Sequence, residues 1–413
     1  MIAIVAAVAV YLVRSGSPAG LGPAVQDGAF TVTPVALNGV SMLAVDPRDG
    51  TVYGTEAGGK TVWSIDRTTR SVRTLNIELD NLLSDIAVDP VTHGLLGTAT
   101  SYGKGGNGSP EGVLRMIDPN ASVVTATVKV GKHAGALAVD SAGQFAYVGT
   151  DEGLSVVDLH ARRVVAVVPT GSDISDVAID PEMNTVYVTD YLAGAIVVVD
   201  SHARTVAARI PVGHKAAALA VDSAIHKIYV TDDQGSTVTV VDSSHRTVIS
   251  TIAVGSGPSG VDVDPSTHDV FVANAHDGTV SVINGSEGSV TSTINVGGRP
   301  FHVAVDATTR AVYVSNSKGL KAITPPAAPS STTAQQGLCQ ASGYTFENTH
   351  GTTPCEVMTE AWITYRLSWP AAGGPQTVSL KDGTTALCTD TTMAAGGVKG
   401  TCTYNGSEFR ARL

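Results

Sequence analysis

Cysteine, aromatic and charged residues are scarce in this 413-residue sequence, and each shortage excludes a class of protein. Residues 1–338 contain no cysteine, so a disulfide framework cannot stabilise most of the chain. Aromatic residues make up 5% and charged residues 15%, and the formal net charge is −11. Because binding to phosphates requires a basic surface that displaces counterions, an acidic chain of this kind predicts no nucleic-acid partner.

Apolar runs long enough to cross a membrane are also missing. The N-terminus opens with "IAIVAAVAVYLV", residues 2–13, followed by Arg14 and a Gly/Ser/Pro spacer that ends near residue 27. As a helix this run would span about 18 Å, short of a hydrocarbon core of about 30 Å. It suits the apolar part of a signal peptide, although no basic residue precedes it; the end of a membrane anchor and a buried strand are the alternatives. The segment predicts an extracytoplasmic protein, either secreted or tethered to a membrane or cell surface.

Glycine and short β-branched runs are abundant, and they recur with a fixed period. A phrase of the type "LAVD" ends at seven aspartates that are mostly about 42 residues apart: Asp46, Asp89, Asp140, Asp180, Asp222, Asp264 and Asp306. Each unit contains four short apolar runs separated by polar turns, as in residues 217–255, and none has a helical period. A period of this length with four strands per unit predicts the blades of an all-β propeller.

The second run of each unit carries a specific resemblance. The segments "VYVTD" (186–190), "IYVTD" (228–232), "VFVAN" (270–274) and "VYVSN" (312–316) resemble the YVTN β-propeller repeat family, over roughly residues 28–324. The first two copies, "VYGTE" and "LLGTA", are degenerate. The resemblance implies a propeller found in exported or surface proteins, and it implies little about chemistry.

The number of strands predicts how the ring closes. The seventh copy provides three strands before the chain reaches "PPAAPSS", whereas residues 28–39, "GAFTVTPVALNG", match the fourth-strand phrase "GSVTSTINVGG" of residues 288–298. We therefore expect the N-terminal strand to complete the last blade, which removes open edges from the ring. Residues 28–324 are predicted to form a seven-bladed propeller.

The C-terminal residues have a different composition. A Pro/Ser-rich linker, residues 325–337, precedes residues 338–413, which are richer in aromatics and read as hairpin strands. This segment is predicted to be a small β domain stapled by two disulfides in an oxidising compartment, with the pairing left open among Cys339, Cys355, Cys388 and Cys402. A structural zinc site is the alternative, but it is disfavoured because no C-x-x-C pair occurs.

Four ionisable residues interrupt an otherwise small-residue face of the innermost strands. The positions four and two residues before the repeat aspartates are mostly alanine, glycine or methionine, and the exceptions are Asp85, Asp176, Asp262 and His302. These two positions share one face of a strand, so the exceptions are expected to line the central channel. They could hold a metal ion, with Asp85, Asp176 and His302 as possible ligands, or act as acid and base; the alternative is that they line a water-filled tunnel.

Other candidates lie where the channel opens. His133 and His214 flank the predicted entrance, and the second blade carries an enlarged glycine-rich loop, residues 101–112, as a possible lid. Acidic residues in the second-to-third strand loops could bind calcium together with Asn274 and Asn316, or could cap their own turns. They are Glu56, Asp151, Glu152, Asp190, Asp232, Asp233 and Asp277.

These features favour a binding scaffold over an enzyme. The sequence contains no nucleophile elbow, phosphate-binding loop or zinc helix. We expect an exported propeller that presents its channel face or its side to a protein or cell-envelope partner, with no cofactor except a possible divalent metal such as calcium. The alternatives are a channel-centred, metal-dependent hydrolase or lyase of lactonase type, by analogy of fold alone, and a sensor ectodomain.

Overall fold

The structure is a computed structural model, and it describes most of the repeat region. The described residues are 25–27, 30–35, 37, 39–56, 61–67, 69, 71–79, 81–102, 108–140, 144–325 and the backbone of six later strands. The chain divides into two compact units, Met1–Pro326 and Ala327–Leu413. The predicted export segment and the centre of the enlarged loop, residues 103–107, lie outside the described residues.

Two strands come before the first repeat unit, and the first three of the seven blades follow these strands. Because the repeat runs are short and rich in valine and isoleucine, they form strands of four to nine residues here. The first two are β1 (Val25–Asp27) and β2 (Phe30–Val35). Blade 1 contains β3 (Val40–Val45), β4 (Val52–Glu56), β5 (Val62–Ile65) and β6 (Val72–Leu75). Blade 2 contains β7 (Leu83–Val88), β8 (Leu95–Ser101), β9 (Glu111–Asp118) and β10 (Val123–Gly131), and blade 3 contains β11 (Leu137–Asp140), β12 (Phe145–Thr150), β13 (Gly153–Asp158) and β14 (Arg163–Val168).

The next four blades repeat this pattern, with one short 3₁₀ helix at Ser223–Ile225. Blade 4 contains β15 (Ile174–Asp180), β16 (Thr185–Asp190), β17 (Ala195–Asp200) and β18 (Thr205–Pro211). Blade 5 contains β19 (Ala216–Asp222), β20 (Lys227–Asp232), β21 (Thr237–Asp242) and β22 (Thr247–Ala253). Blade 6 contains β23 (Pro258–Asp264), β24 (Asp269–Asn274), β25 (Thr279–Asn284) and β26 (Ser289–Asn295), and blade 7 contains β27 (Pro300–Asp306), β28 (Ala311–Asn316) and β29 (Gly319–Thr324).

The N-terminal strand closes the ring. Blades 1 to 6 are four-stranded antiparallel sheets, whereas the sheet of blade 7 has the order β1-β2-β29-β28-β27. Strand β2 pairs with β29 in the register Val32↔Ile323, and β1 adds a fifth strand outside β2. The first strands of all seven blades contact one another around the axis. The predicted seven-bladed propeller and its closure by the N-terminal strand are confirmed.

The hydrophobic core lies between the faces of adjacent blades. Each interface is filled by valine, isoleucine and leucine from both blades, as where Val32 of β2 packs with Val280 of blade 6 and Val312 of blade 7. The largest fully buried side chains are aromatic residues of the second strands, Tyr147, Tyr187, Tyr229 and Phe271. Small residues on the innermost strands let the seven strands meet near the axis.

The C-terminal unit contains a single six-stranded sheet. Its order is β30-β31-β35-β34-β33-β32, with strands Leu338–Ala341, Tyr344–His350, Gln376–Ser379, Thr385–Thr392, Val398–Tyr404 and Ser407–Arg412 numbered β30 to β35 along the chain. The structure does not describe the cysteine side chains. It therefore gives no support for the predicted disulfides, which stay a prediction. Cys388 and Cys402 stand directly opposite each other in the backbone register of β33 and β34.

Candidate functional site

The three channel aspartates connect neighbouring blades. Asp85 Oδ1 accepts the N–H of Ile86 on its own strand at 2.8 Å, and Oδ2 accepts the N–H of Leu137 in the next blade at 2.9 Å. Asp176 and Asp262 repeat this arrangement with Leu219 and Val305 of the following blades, both at 2.8 Å. We call these three carboxyl groups the interblade staples. They join blades 2 to 3, 4 to 5 and 6 to 7.

The structure does not support the predicted metal centre at the channel. Each oxygen of the three carboxyl groups already accepts one backbone N–H group, so the staples have a structural role without an ion. Among the residues that the structure describes, no three His, Cys, Asp or Glu side chains form a group that could hold a metal ion. Calcium at Asp85, Asp176 and His302 is therefore not supported.

Burial in the narrow channel shifts the pKa of every staple upward. Burial, followed by the nearby Asp176 carboxylate, raises the pKa of Asp85 to about 7. Burial raises the pKa of Asp176 to about 7 and that of Asp262 to about 6, although the backbone N–H groups oppose the shift. The loss of hydration thus outweighs two hydrogen bonds at each carboxyl group, and the staples titrate near neutral pH.

His302 occupies the channel wall as a neutral imidazole. Burial lowers the pKa of its side chain to about 4. Its backbone N–H donates to Ser315 Oγ at 3.1 Å, and its buried Nδ1 has no hydrogen-bond partner. We assign the ring proton to Nε2, because Nδ1 faces no acceptor.

A cavity of about 260 Å³ lies among these residues. Its wall is formed by the innermost strands of blades 1, 4, 5, 6 and 7, and it includes Asp176, Asp262 and His302. Asp85 is not part of this wall. The rest of the wall is leucine, valine and alanine, but the surface that faces the cavity is mainly polar, and its two carboxyl groups are already bonded to the backbone.

The acidic residues at the channel opening also serve their own loops, which corrects the prediction of a calcium-binding rim. Asp232 is almost fully buried and accepts the N–H groups of His214 and Gly235, and these bonds lower its pKa although burial opposes them. Asp190 accepts the N–H of Ala193 and pairs with Arg209. These carboxylates cap turns, as Asp side chains often do.

The two predicted entrance histidines each pair with one of these acids. His133 Nδ1 lies 2.6 Å from Asp151 Oδ2, and both side chains are exposed. His214 Nδ1 lies 3.2 Å from Asp232 Oδ2, with the imidazole largely in solvent. Neither histidine lines the channel cavity with His302. The structure therefore does not bring the six predicted site residues into one cluster.

Exposed aromatic residues at the same end were not predicted as site residues. We call this end, where the second-to-third strand loops and the interblade loops lie, the entrance face. The ring centroids of Tyr102 and His133 are 6.1 Å apart, Lys215 Nζ lies 4.9 Å from the Tyr191 ring, and Arg299 lies 5.9 Å from the Phe301 ring. In a sequence with so few aromatics, three of them at one end of the predicted blades, Tyr102 and Tyr191 in loops and Phe301 at the start of β27, were the signal that could have identified this face.

The opposite end, which we call the turn face, contains a second set of interblade contacts. His93, His268 and Arg310 occupy left-handed positions of the first-to-second strand turns, with φ near 60°. From there they reach the buried repeat aspartate of the preceding blade: His93 to Asp46 at 3.0 Å, His268 to Asp222 at 2.7 Å and Arg310 to Asp264 at 2.9 Å. The repeat aspartates thus hold adjacent blades together and do not form a ligand site.

Comparison with known proteins gives one partial match. Residues 109–253, about a third of the chain, match the model of the Cytochrome D1 heme domain. The matched segment runs from the third strand of blade 2 to the end of blade 5. No curated protein matches the sequence. The comparison does not confirm the YVTN assignment, and it suggests haem as a cofactor to be tested against the residues present.

The described residues do not fit a haem. The channel cavity of about 260 Å³ is below the roughly 300–1,000 Å³ of common ligand pockets, and a porphyrin with its propionates is a large ligand. The propionates would meet staple carboxyl groups, and no basic side chain lines the cavity. The histidines of the matched segment lie at the two ends of the propeller, outside this cavity, whereas His302 lies outside the match. The similarity therefore supports shared blade architecture, and we derive no redox step from it.

Proposed function

We propose that this protein is a non-catalytic binding module whose entrance face holds a protein partner. The supporting observation is the distribution of exposed large hydrophobic side chains. Among the described residues, the exposed leucine and aromatic side chains all lie on the entrance face, at Leu82, Tyr102, Leu192 and Phe301. The other exposed large hydrophobic side chains are Val91 on the turn face and five valine or isoleucine residues on the outermost strands, Val123, Val167, Val248, Ile249 and Val290. Loops on a rigid scaffold are common binding surfaces, and a concentration of exposed apolar side chains marks such a surface.

The aromatic pairs of the entrance face suit a protein interface. Tyr191 donates its hydroxyl to Asp233 at 2.8 Å while Lys215 covers its ring, so its orientation is fixed before a partner arrives. Tyrosine and arginine are enriched among the residues that dominate binding free energies, and fixed side chains lose little entropy on binding. Phe301 beside Arg299 offers a second anchor of this kind.

The channel supports a catalytic role less well. A hydrolase or lyase needs an acid or base placed against a bound substrate. The staple carboxyl groups are instead each held by two backbone N–H groups, one of them in the next blade, which suits a structural role. The proposal includes export to the cell envelope, with tethering there and a sensor role as further possibilities of the same kind. The apolar segment of residues 2–13 supports this part of the proposal.

The proposal is tested by quantitative capture from cell-envelope extracts of the source. We expect Leu192→Ser with Phe301→Ser to reduce recovery of a bound protein at least about tenfold, because each truncation of an interface anchor costs on the order of 1–2 kcal/mol or more. Val91→Ser on the turn face is the matched control and should recover as much of the bound protein as the parent does. Equal recovery by all three proteins, or equal loss, would place the binding surface elsewhere and contradict the proposal.

A further inference from the structure

A groove of about 600 Å³ opens on the outer wall between blades 5 and 6. Its lining includes Val254 and Gly255 just after β22, Asp277 in the loop before β25, Thr279 and Ser281 on β25, and Thr293 on β26. We call this the blade 5/6 groove. Its upper end, at Gly255 and Asp277, reaches the entrance-face loops of blades 5 and 6, whereas Tyr102, Leu192 and Phe301 belong to blades 2, 4 and 7 and do not line it.

The groove marks an interface that lacks a hydrogen bond found at two equivalent interfaces. Between blades 2 and 3, Ser155 Oγ donates to the carbonyl of Val130 at 2.6 Å, and between blades 4 and 5 Thr239 Oγ1 donates to that of Val212 at 2.6 Å. The equivalent residues at blades 5 and 6 are Ser281 and Val254, judged from their places in the repeat. Here Ser281 Oγ instead accepts the amide of Asn274 at 2.9 Å, and both Ser281 and Val254 line the groove.

Asn274 explains why the Ser281 hydroxyl is held in the groove. Asn274 is fully buried, and its Nδ2 donates to Thr279 Oγ1 at 3.0 Å as well as to Ser281 Oγ. Its Oδ1 is buried without a partner. Asn274 does not itself line the groove, so its part there is to hold the Thr279 and Ser281 hydroxyl groups in position.

The groove offers acceptors and a negative charge. Asp277 Oδ2 accepts the N–H of Ser256 at 2.7 Å, and its exposed carboxylate borders the groove. The Thr279 and Ser281 hydroxyls and the main chain at Val254 are further polar groups, and no lining residue is basic. Ala253, Val254 and Val290 supply apolar wall beside them. Such a surface is complementary to a cationic donor attached to an aliphatic stem.

We propose that the blade 5/6 groove binds a primary ammonium group on an alkyl chain, the chemistry shared by a lysine side chain and a small diamine. The ammonium group pairs with Asp277 and donates to the hydroxyl groups, while the methylenes pack on Val254 and Val290. The groove volume falls in the roughly 300–1,000 Å³ range of small-ligand sites. No arginine or lysine of the lining competes for the same acceptors.

Isothermal titration calorimetry of the full chain with 1,5-diaminopentane and with 1-pentanol tests the proposal. We expect the diamine to bind at one site and the alcohol, which has the same stem and no charge, to bind at least about tenfold more weakly. Binding of the diamine should weaken as salt is raised, since Asp277 is exposed. Equal binding of the two compounds, or no saturable binding of the diamine, overturns the proposal.

Two groove variants and two matched controls locate the site. Asp277→Asn should weaken diamine binding about fivefold or more by removing the charge, and Thr293→Trp should abolish it by filling the groove from an exposed strand position. Asp200→Asn, in an exposed turn at the turn face, is the matched control for charge, and Thr205→Trp on β18 is the control for bulk. Thermal melts of all four establish that each folds. If the controls lose binding as strongly as the groove variants, binding is nonspecific and the proposal is wrong.

The same titration distinguishes the two sources of the ammonium group. Nα-acetyl-lysine methylamide carries the lysine side chain with a peptide backbone on either side. Tighter binding of this compound than of the diamine assigns the groove to a lysine side chain of a polypeptide, and the reverse order assigns it to free diamines. Because Leu192 and Phe301 do not line the groove, Leu192→Ser with Phe301→Ser should leave diamine binding unchanged, which separates this test from that of the proposed function.

Discussion

At the scale of single residues, the channel aspartates show how a charged side chain can serve packing. Alanine occupies the repeat position of Asp85 and Asp176 in blades 3 and 5, at Ala136 and Ala218, so the fold tolerates a methyl group there. In blades 2 and 4 a carboxyl group at this position instead satisfies an N–H group of the next blade, and in blade 6 Asp262, two residues further along the strand, does the same. Each carboxyl group stabilises the fold by a hydrogen bond across a blade interface, and it destabilises the fold because a carboxyl group is buried in the channel.

The first prediction concerns the loss of one staple. Asp176→Ala leaves the Leu219 N–H without its acceptor, so we expect the free energy of unfolding to fall by roughly 1–3 kcal/mol at mildly acidic pH. Urea denaturation measures the change. Asp173→Ala, three residues earlier and exposed, is the control and should lie within about 0.5 kcal/mol of the parent. A loss no larger than that of the control would mean that the staple contributes nothing to stability.

The second prediction concerns the pH dependence of this staple. The pKa of Asp176 is about 7 in the folded protein and 3.8 in the reference state, so folding takes up a proton between these values. Its contribution to stability is therefore fully present below about pH 4 and is lost as the pH rises through about 7. We expect the stability difference between the parent and Asp176→Ala to be larger at about pH 5 than at about pH 8.

Comparing the parent with Asp176→Ala removes the contribution of His302 to the pH dependence of stability. Its folded pKa of about 4 lies below the reference value of 6.5, so its contribution is lost as the pH falls through about 4, the opposite direction. Because both proteins contain His302, its effect cancels in the difference. A difference that grows with pH between about 5 and 8 would show that Asp176 does not titrate as the structure requires.

At the scale of strands, closure by β2 ties the ring to an early segment of the chain. Val32 on this strand is buried against blades 6 and 7, although it lies almost 300 residues before its pairing partner Ile323. The strand contributes both hydrogen bonds to β29 and apolar surface to the interface. The stability of the last blade therefore depends on the N-terminal strand.

The third prediction tests this dependence. Val32→Asp places an unpaired charge in the interface, and we expect it to reduce the free energy of unfolding by roughly 3–5 kcal/mol and to expose residues 30–35 to limited proteolysis. Thr33→Asp, on the other face of the same strand, is the matched control and should be much milder. If the two variants melt alike and resist protease equally, β2 does not hold the ring closed.

The repeat period and the missing fourth strand of blade 7 predicted this architecture because strand number and spacing follow directly from the pattern of apolar runs. The role of Asp85, Asp176 and Asp262 could not be read in the same way. Their partners are backbone N–H groups of another blade, and a backbone group leaves no signature in the sequence. The groove at Ser281 could not be predicted from the sequence either. Ser155 and Ser281 occupy the same place in the repeat, and they differ in their hydrogen bonds because Asn274 donates to Ser281.

At the scale of the whole molecule, the propeller is a scaffold in an acidic chain, and the exposed leucine and aromatic side chains of its described residues lie on the entrance face. Within the described residues, no helix is long and apolar enough to cross a membrane. The match to the Cytochrome D1 heme domain covers blades that provide neither His302 nor most of the channel cavity. Shared blades therefore do not transfer a cofactor to this chain.

The fourth prediction follows from the size and charge of the channel. Titration of the full chain with haemin, followed by visible absorption, should show no saturable one-to-one complex with an imidazole-ligated spectrum. His302→Ala should give the same titration as the parent, because the described cavity does not admit the macrocycle. A stoichiometric complex that is lost in His133→Ala or His214→Ala would place haem on the entrance face and overturn this conclusion.

The alternation of the staples divides the ring in a way that the even spacing of the blades conceals. Staples join blades 2 and 3, 4 and 5, and 6 and 7 at the channel, whereas no staple crosses the junctions between blades 3 and 4 and between blades 5 and 6, the latter being joined at the turn face by Asp222 and His268. New chain ends introduced by circular permutation at these two junctions would interrupt the main chain where no staple crosses. At its axis the molecule can thus be regarded as three two-blade cassettes and blade 1, and recombination between propellers of this design should succeed when it exchanges blades in pairs.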